Sequence, residues 1–352
     1  MKAAVYYGYH DIRLDDVPDP VCTPSDVIIE TAACGICGTD ISAYEHGSAF
    51  TTIGQVMGHE FAGKVVEVGS DVAAVQVGDR ITAWPIVHCD RCARCAEGEW
   101  HLCENAWGNS ISNGLPGGFA EYVRIPRARI NRTVYKLPES VDWSAAAMVE
   151  PFSVALSAAR YAAAESTDTV VVMGLGMIGL GVVQAVRLSG AARIIGVDTV
   201  TARRELALKL GADHVVGAPG EDVSDSIRQI AGAGPQGAAR VDAIIECTGA
   251  EPVLARSIEL IRPAGKLVLI GLSASSPTVD INALIVKQVS VRGTFAYRTE
   301  YARTLALLGS GRLHSDELVS HRFVLDDFQA ALDAQCDRDV ALKVMVTGPG
   351  YD

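Results

Sequence analysis

The sequence lacks any long basic run. Its 30 Lys and Arg are outnumbered by 42 Asp and Glu, for a net charge of −12. Binding to phosphate chains needs a basic footprint, so nucleic acid is excluded as a partner. There is also no basic, apolar leader: MKAAVYYGYH turns polar at once, unlike a secretory signal. Nor is there an unbroken apolar span. The longest uncharged stretch, Thr169 to Val186, is interrupted by Gly174, Gly176, Gly179 and Gly181. It predicts a strand, a tight turn and a buried helix, not a membrane span. Repeats and low-complexity tails are missing too. These absences predict a soluble, cytoplasmic protein with no membrane partner.

What is present suits a two-domain protein. A chain of 352 residues, about half of them apolar, can bury a sizeable core and divide in two. Nine cysteines are an odd number, and four of them crowd into one short segment. Without a secretory signal, clumped cysteines read as metal ligands before disulfides. Cys89, Cys92, Cys95 and Cys103 form C-x2-C-x2-C-x7-C. Four thiolates at this spacing can close a tetrahedral shell around one zinc and hold a loop rigid. An iron–sulfur site is the alternative. His88 and His101 lie close, but four cysteines already complete the shell.

The chain changes character twice. Residues 1 to about 150 read as mostly β, with strands at Val27–Ala32, Ala62–Val68 and Arg80–Trp84, and no long helical period before Ser144. From about 150 to 290, apolar strands alternate with helical stretches. That alternation predicts a parallel sheet covered on both faces. GAGPQGAAR within it reads as a surface turn. The remainder returns to mixed α/β, which suggests that the two ends fold together around an inserted α/β unit.

Gly174, Gly176, Met177, Ile178 and Gly179 supply G-x-G-x-x-G. The motif follows the strand TVVVM and opens a helix. Asp198 ends the next strand, 19 residues after the last glycine. That context matches a dinucleotide fingerprint. The glycines let the backbone turn and bring N–H groups to a pyrophosphate at a helix N-terminus. Asp198 would accept both ribose hydroxyls and repel a 2′-phosphate, which favours NAD over NADP. Arg203 and Arg204 follow and could weaken that preference; otherwise they form a solvated helix face.

A second metal centre is predicted from Cys37 and His59, 22 residues apart and each beside glycine. A core thiol and a hydrogen-bonded histidine are the alternative. Glu60 adds a spare carboxylate, and a catalytic zinc takes three protein ligands with one position open. Glu150, in MVEPFSVAL, is a candidate third ligand, directly or through water; an ion pair or a helix-terminal charge is the alternative. Thr39 and His46 are candidates for a proton path: a hydroxyl two residues past Cys37, and an imidazole that titrates near neutrality, or else a surface histidine.

These motifs, in this order, resemble the zinc-containing medium-chain dehydrogenase/reductase superfamily over essentially the whole chain. The matching segments include CGICGTD (34–40), GHEFAGKVVEVG (58–69), GGFAEY (117–122), EP (150–151), IECTGAE (245–251), RPAGKLVLIG (262–271) and RGTFAY (292–297). Among its members the chain is most similar to polyol (sorbitol-type) dehydrogenases, with threonine and butanediol dehydrogenases as near relatives. At Ser42, Ala43 and Ala296 it departs from the sorbitol- and threonine-type patterns. The resemblance implies a GroES-like β-rich catalytic domain (1–150 and 290–352, with a zinc lobe at about 85–105) and a Rossmann doubly wound parallel-sheet domain (151–289). It implies two zinc ions per chain. Cys37, His59 and Glu150 take the positions of the catalytic shell, and Glu60 that of an occasional ligand. Cys247, Thr248, Gly271, Leu272, Thr294 and Phe295 fall on segments lining the nicotinamide. A homotetramer or homodimer is implied as well.

The expected activity is therefore hydride transfer from a secondary alcohol of a polyol, sugar or cyclitol to NAD. Threonine or vicinal-diol oxidation by the same machinery is the near alternative. A non-catalytic NAD-binding protein is the distant one, and the intact Cys37, His59 and Glu150 argue against it.

Overall fold

The computed structural model describes residues 1–47, 51–232, 239–273 and 275–351. Most of the predicted turn GAGPQGAAR lies outside the described residues. Contacts divide the chain into two units, Met1–Glu150 with Tyr301–Asp352, and Pro151–Glu300.

The first unit is built on an antiparallel-rich sheet. Its strands run in the order Val134–Lys136, Arg80–Ala83, Glu60–Val68, Val27–Gly35, Lys343–Thr347 and Val319–Val324, with Tyr122–Ile125 also paired to Val27–Gly35. The C-terminal strand thus enters the N-terminal sheet beside Val27–Gly35. Apolar side chains from these strands, among them Ile29, Phe61, Val65, Ile81, Val123 and Val344, form one core, and Phe328 and Leu332 of the helix Phe328–Cys336 close it. Register decides which loops meet at the end of the sheet. Gly35 lies opposite Glu60 on one neighbour and opposite Met345 on the other. The chain just past Gly35 and the chain just before Glu60 therefore emerge together.

The structure adds a helix, Gly38–His46, where the sequence showed no helical period. It buries only Asp40, Ile41 and Ala43, too few for an apolar stripe. Its first turn is fixed instead by the Asp40 carboxylate, which accepts a hydrogen bond from the Cys37 N–H at 2.9 Å.

The second unit is a six-stranded, all-parallel sheet among the described residues. The order is His214–Val216, Arg193–Val197, Thr169–Met173, Val241–Glu246, Ile261–Leu269 and Ser290–Gly293. Val171, Ile195, Val241, Ile244 and Leu267 fill its core, covered by helices that include Val223–Ala231 and Glu251–Leu260. The boundary drawn at 290 moves. Ser290–Gly293 pairs in parallel with Ile261–Leu269, so the unit runs on to Glu300. A short strand with all four residues exposed carries no apolar signal that would have assigned it to the sheet. Among the described residues, no helix is long and apolar enough to cross a membrane.

Candidate metal centre and dinucleotide site

Register brings the first predicted ligands together. Cys37 lies two residues past the end of Val27–Gly35, and His59 immediately before the strand that starts at Glu60. Gly58 turns the chain with φ +95, where a Cβ would meet the Phe119 N at 2.7 Å and the Cys34 Sγ at 2.8 Å. Cys37 Sγ, a His59 ring nitrogen and a Glu60 carboxylate oxygen all lie within 4.8 Å of one another. Thiolate, imidazole and carboxylate at this separation fit one zinc ion. The surroundings of the imidazole are anionic. Burial works against a charged His59, but the neighbouring Cys37, Asp40 and Glu150 outweigh it and raise the imidazole well above its usual range. Burial raises the Asp40 carboxyl.

Glu150 stands apart from this group of three. It is buried, in the first turn of the helix Val149–Ala162, and near enough for its charge to bear on His59. Register with Gly35 brings Glu60 into the group instead. A Cβ on Gly35 would lie 2.2 Å from Glu60 Oε2, so only glycine leaves room for that carboxylate.

The four-cysteine lobe closes on itself. The Sγ atoms of Cys89, Cys92, Cys95 and Cys103 lie within 4.8 Å of one another, and all four are free thiols. Cys89 and Cys95 are 4.0 Å apart, and Cys92 and Cys103 3.9 Å. Cys103 Sγ accepts from the N–H of Cys89 and of Asn105, and the Asn105 side chain donates to Cys89. Hydrogen bonds led by the Arg91 N–H bring the Cys89 thiol down to about 6, while burial pushes Cys95 up to about 12. Such donors suit thiolates bound to a metal. His88 stacks on Trp100 at 5.7 Å, and neither His88 nor His101 belongs to the cluster.

In the second unit, Thr169–Met173 runs into Gly174 at φ +88, and Gly176 caps the helix Met177–Ser189. A Cβ on Gly179 would lie 1.8 Å from the Gly174 carbonyl oxygen, whereas one on Gly176 would meet nothing within 4 Å. Gly179 is thus glycine for packing, and Gly176 faces open space where a pyrophosphate can approach. Asp198 follows the next strand, Arg193–Val197. Its Oδ2 accepts from the Leu175 N–H at 2.8 Å and its Oδ1 from the Val200 N–H at 2.9 Å. Cys247, Thr248, Gly271, Leu272, Thr294 and Phe295 each follow the carboxyl end of a strand, and those strands are consecutive neighbours in the sheet. All six therefore share one edge with Gly174 and Asp198, the edge at which parallel α/β sheets bind ligands.

Residues 23–139 match the alcohol dehydrogenase GroES-like domain, and residues 177–310 match zinc-binding dehydrogenases. The sorbitol dehydrogenase of Bacillus subtilis (strain 168) is 31% identical over 98% of this chain and 97% of its own. The erythritol/L-threitol dehydrogenase of Mycolicibacterium smegmatis is 31% identical over 98% and 96%. Crystalline 2R,3R-butanediol dehydrogenase from Bacillus subtilis superimposes with a TM-score of 0.86, at 31% identity, over 98% of this chain and 99% of that one. The chain belongs to the zinc-dependent alcohol and polyol dehydrogenase family.

Three features of this dehydrogenase carry no clear signal in the sequence. Arg204 is no solvated face. It is buried, and its Nη1 donates to the carbonyls of Asp198, Thr199 and Gly217, clamping the turn after Asp198. Arg203 does approach the dinucleotide turn, with Nη1 3.8 Å from Asp198 Oδ2. Glu246 is buried at the end of its strand and accepts from the Thr248 N–H at 2.7 Å, the Thr248 hydroxyl, and the Gly249 N–H at 3.1 Å. Thr248 in turn packs where a Gly174 side chain would be, so Glu246 braces the fingerprint turn. Lys343 is buried and bonded to Glu60; burial lowers its pKa, but the neighbouring Glu60 more than compensates and raises it. A charged residue at the end of a mostly apolar strand is the one hint available for both Glu246 and Lys343.

The two proton-path candidates sit on one helix. Thr39 and His46 are exposed, and His46 lies 3.8 Å from the Glu45 carboxylate. Seven residues put them on the same face but about 10 Å apart at 1.5 Å per residue. No direct hydrogen bond spans that gap.

Proposed function

We propose that the protein oxidises a secondary alcohol of a polyol, sugar or cyclitol, with NAD as acceptor. The approach of the Cys37 and His59 donor atoms to within 4.8 Å, with a Glu60 carboxylate oxygen beside them, carries this reading, because a thiolate and an imidazole so placed are a zinc donor pair. Similarity to sorbitol and erythritol/L-threitol dehydrogenases supports the polyol class. The Asp198 carboxylate at the end of the second strand supports NAD, since it would repel a 2′-phosphate.

Zinc at this site would supply Lewis acidity to the alcohol oxygen, and the nicotinamide a hydride acceptor. The chain's own residues do the rest. Cys37 and His59 hold the metal, and Asp40 fixes the Cys37 turn. With Glu60 committed to Lys343, Glu150 remains the proposed third ligand. The exposed Thr39 hydroxyl relays the substrate proton, passing on its own as it accepts the new one, and His46 exchanges the proton with solvent through intervening water. Cys89, Cys92, Cys95 and Cys103 hold a second, structural zinc. Asp198 binds the ribose hydroxyls, while Cys247, Thr248, Gly271, Leu272, Thr294 and Phe295 line the nicotinamide end. The exposed edge strand Ser290–Gly293, with exposed Ile281, Ile285 and Val286 on the adjoining helix, supports a homo-oligomer, dimer or tetramer.

The test is reduced-cofactor formation from polyols, aminocyclitols, butanediols and threonine, with NAD and with NADP. Activity with threonine alone would overturn the polyol reading. The likeness to butanediol dehydrogenase favours vicinal-diol oxidation as the second reading. Asp198→Ala should raise the NADP-to-NAD ratio of kcat/KM at least about tenfold, or roughly 1.4 kcal/mol; an unchanged ratio would remove Asp198 from cofactor choice.

A further inference from the structure

Lys343 opens the C-terminal strand and is almost wholly buried, its side chain only 3% exposed. An ammonium has three donors, and three contacts use them. Nζ donates to Glu60 Oε2 at 2.6 Å, to Glu60 Oε1 at 2.8 Å and to the Ile36 carbonyl at 2.8 Å. Ile36 immediately precedes Cys37, and Glu60 immediately follows His59. One buried cation thus bonds to the chain next to each candidate ligand. The antiparallel pairing between the two strands that lead to the ligands ends at Gly35 and Glu60; beyond it Ile36 N–H donates to the Val344 carbonyl and Gly58 accepts from the Gly118 N–H, but neither bond joins the two segments to each other. Cys37 and His59 both lie beyond that pairing.

We propose that Lys343 is a positioning residue for the metal centre: by bridging Ile36 and Glu60, its ammonium holds Cys37 and His59 at metal-binding separation. The inference rests on the reading of Cys37 and His59 as metal ligands. A role in stability alone accounts poorly for the arrangement, because a buried ion pair is often no better than an apolar pair of the same volume. The third bond, to Ile36, is what makes the pair a bridge between two segments. Groups that orient metal ligands typically change affinity 10- to 100-fold when removed.

The test is the rate at which zinc leaves the holoenzyme in excess chelator, with zinc in the cysteine lobe as internal reference. Lys343→Met alone would leave the Glu60 charge buried and unpaired. The double variant Lys343→Met/Glu60→Met removes both charges and suits a buried site. Its catalytic zinc should leave at least about tenfold faster than in wild type, with the melting temperature kept. Glu60→Gln, which leaves the ammonium bonded to Ile36, should lose zinc within about threefold of the wild-type rate. An unchanged rate in the double variant overturns the proposal, as does a fall in its melting temperature with zinc retained. Equal acceleration in Glu60→Gln also overturns it, since Glu60 and not Lys343 would then hold the metal. A wild-type enzyme carrying only the lobe zinc would instead refute the reading of Cys37 and His59.

Discussion

Two glycines of the fingerprint should fail in different ways when each is changed to alanine. At Gly179 the new Cβ would lie 1.8 Å from the Gly174 carbonyl oxygen, well under the 3.0 Å that Cβ contacts respect. The backbone must open by at least about 1.2 Å, the difference of those distances. Overpacking of this kind costs about 1–3 kcal/mol. In a domain this size each kcal/mol lowers the melting temperature by about 2–4 °C. The shift also moves the helix N-terminus that receives the pyrophosphate, and a displacement of about 1 Å costs on the order of 100-fold where geometry is tight. At Gly176 the Cβ meets no protein atom within 4 Å. Gly176→Ala should therefore keep the wild-type melting temperature and still weaken the dinucleotide, because the methyl group occupies its approach. Differential scanning fluorimetry and NADH fluorescence titration read the two effects separately. Equal melting-temperature losses in both variants, or wild-type NADH affinity in either, would refute the assignment of one glycine to packing and the other to ligand approach.

Further outcomes are expected from buried charge and from the lobe. Arg204→Met removes a cation from three carbonyls. Hydrogen bonds to charged groups are worth about 1.5–3 kcal/mol and are not additive, so a loss of about 2–4 kcal/mol is expected in urea titrations. Glu300 gives a pH signature. Burial raises its pKa, but the Thr299 and Arg298 N–H groups and Arg160 outweigh burial and carry it below the ordinary 4.5. Its folded value is depressed, so its stabilising contribution is complete above pH 4.5 and is lost as pH falls through the folded value. Glu300→Gln should thus be less stable than wild type at neutral pH, with the gap closing in acid; a gap independent of pH would contradict this. Cys103→Ser removes the sulfur that accepts two backbone N–H groups. The variant should lose one zinc per chain by elemental analysis and become prone to proteolysis within the lobe.

Much of this enzyme is legible because its signals are local. Strand, glycine turn and helix at 169–189 are consecutive, and the demand for glycine at Gly174 and Gly179 is a backbone property of that short stretch. The four cysteines span 89 to 103, so their spacing alone brings them within reach of one ion. Cys37 and His59 were legible as ligand types, each next to glycine. The sequence by itself therefore determined two candidate metal centres, a dinucleotide-type fold and the family. The tertiary structure alone decided which groups surround them. Glu60 joins Cys37 and His59 through strand register, and its partner Lys343 is 283 residues away. Glu150 is nearby but outside that trio, Arg204 is buried, and the α/β unit extends to Glu300. A lysine in an apolar strand signals that it must find an anion. Which anion it finds depends on strand order, and strand order is settled only when the distant C-terminal strand pairs beside Val27–Gly35.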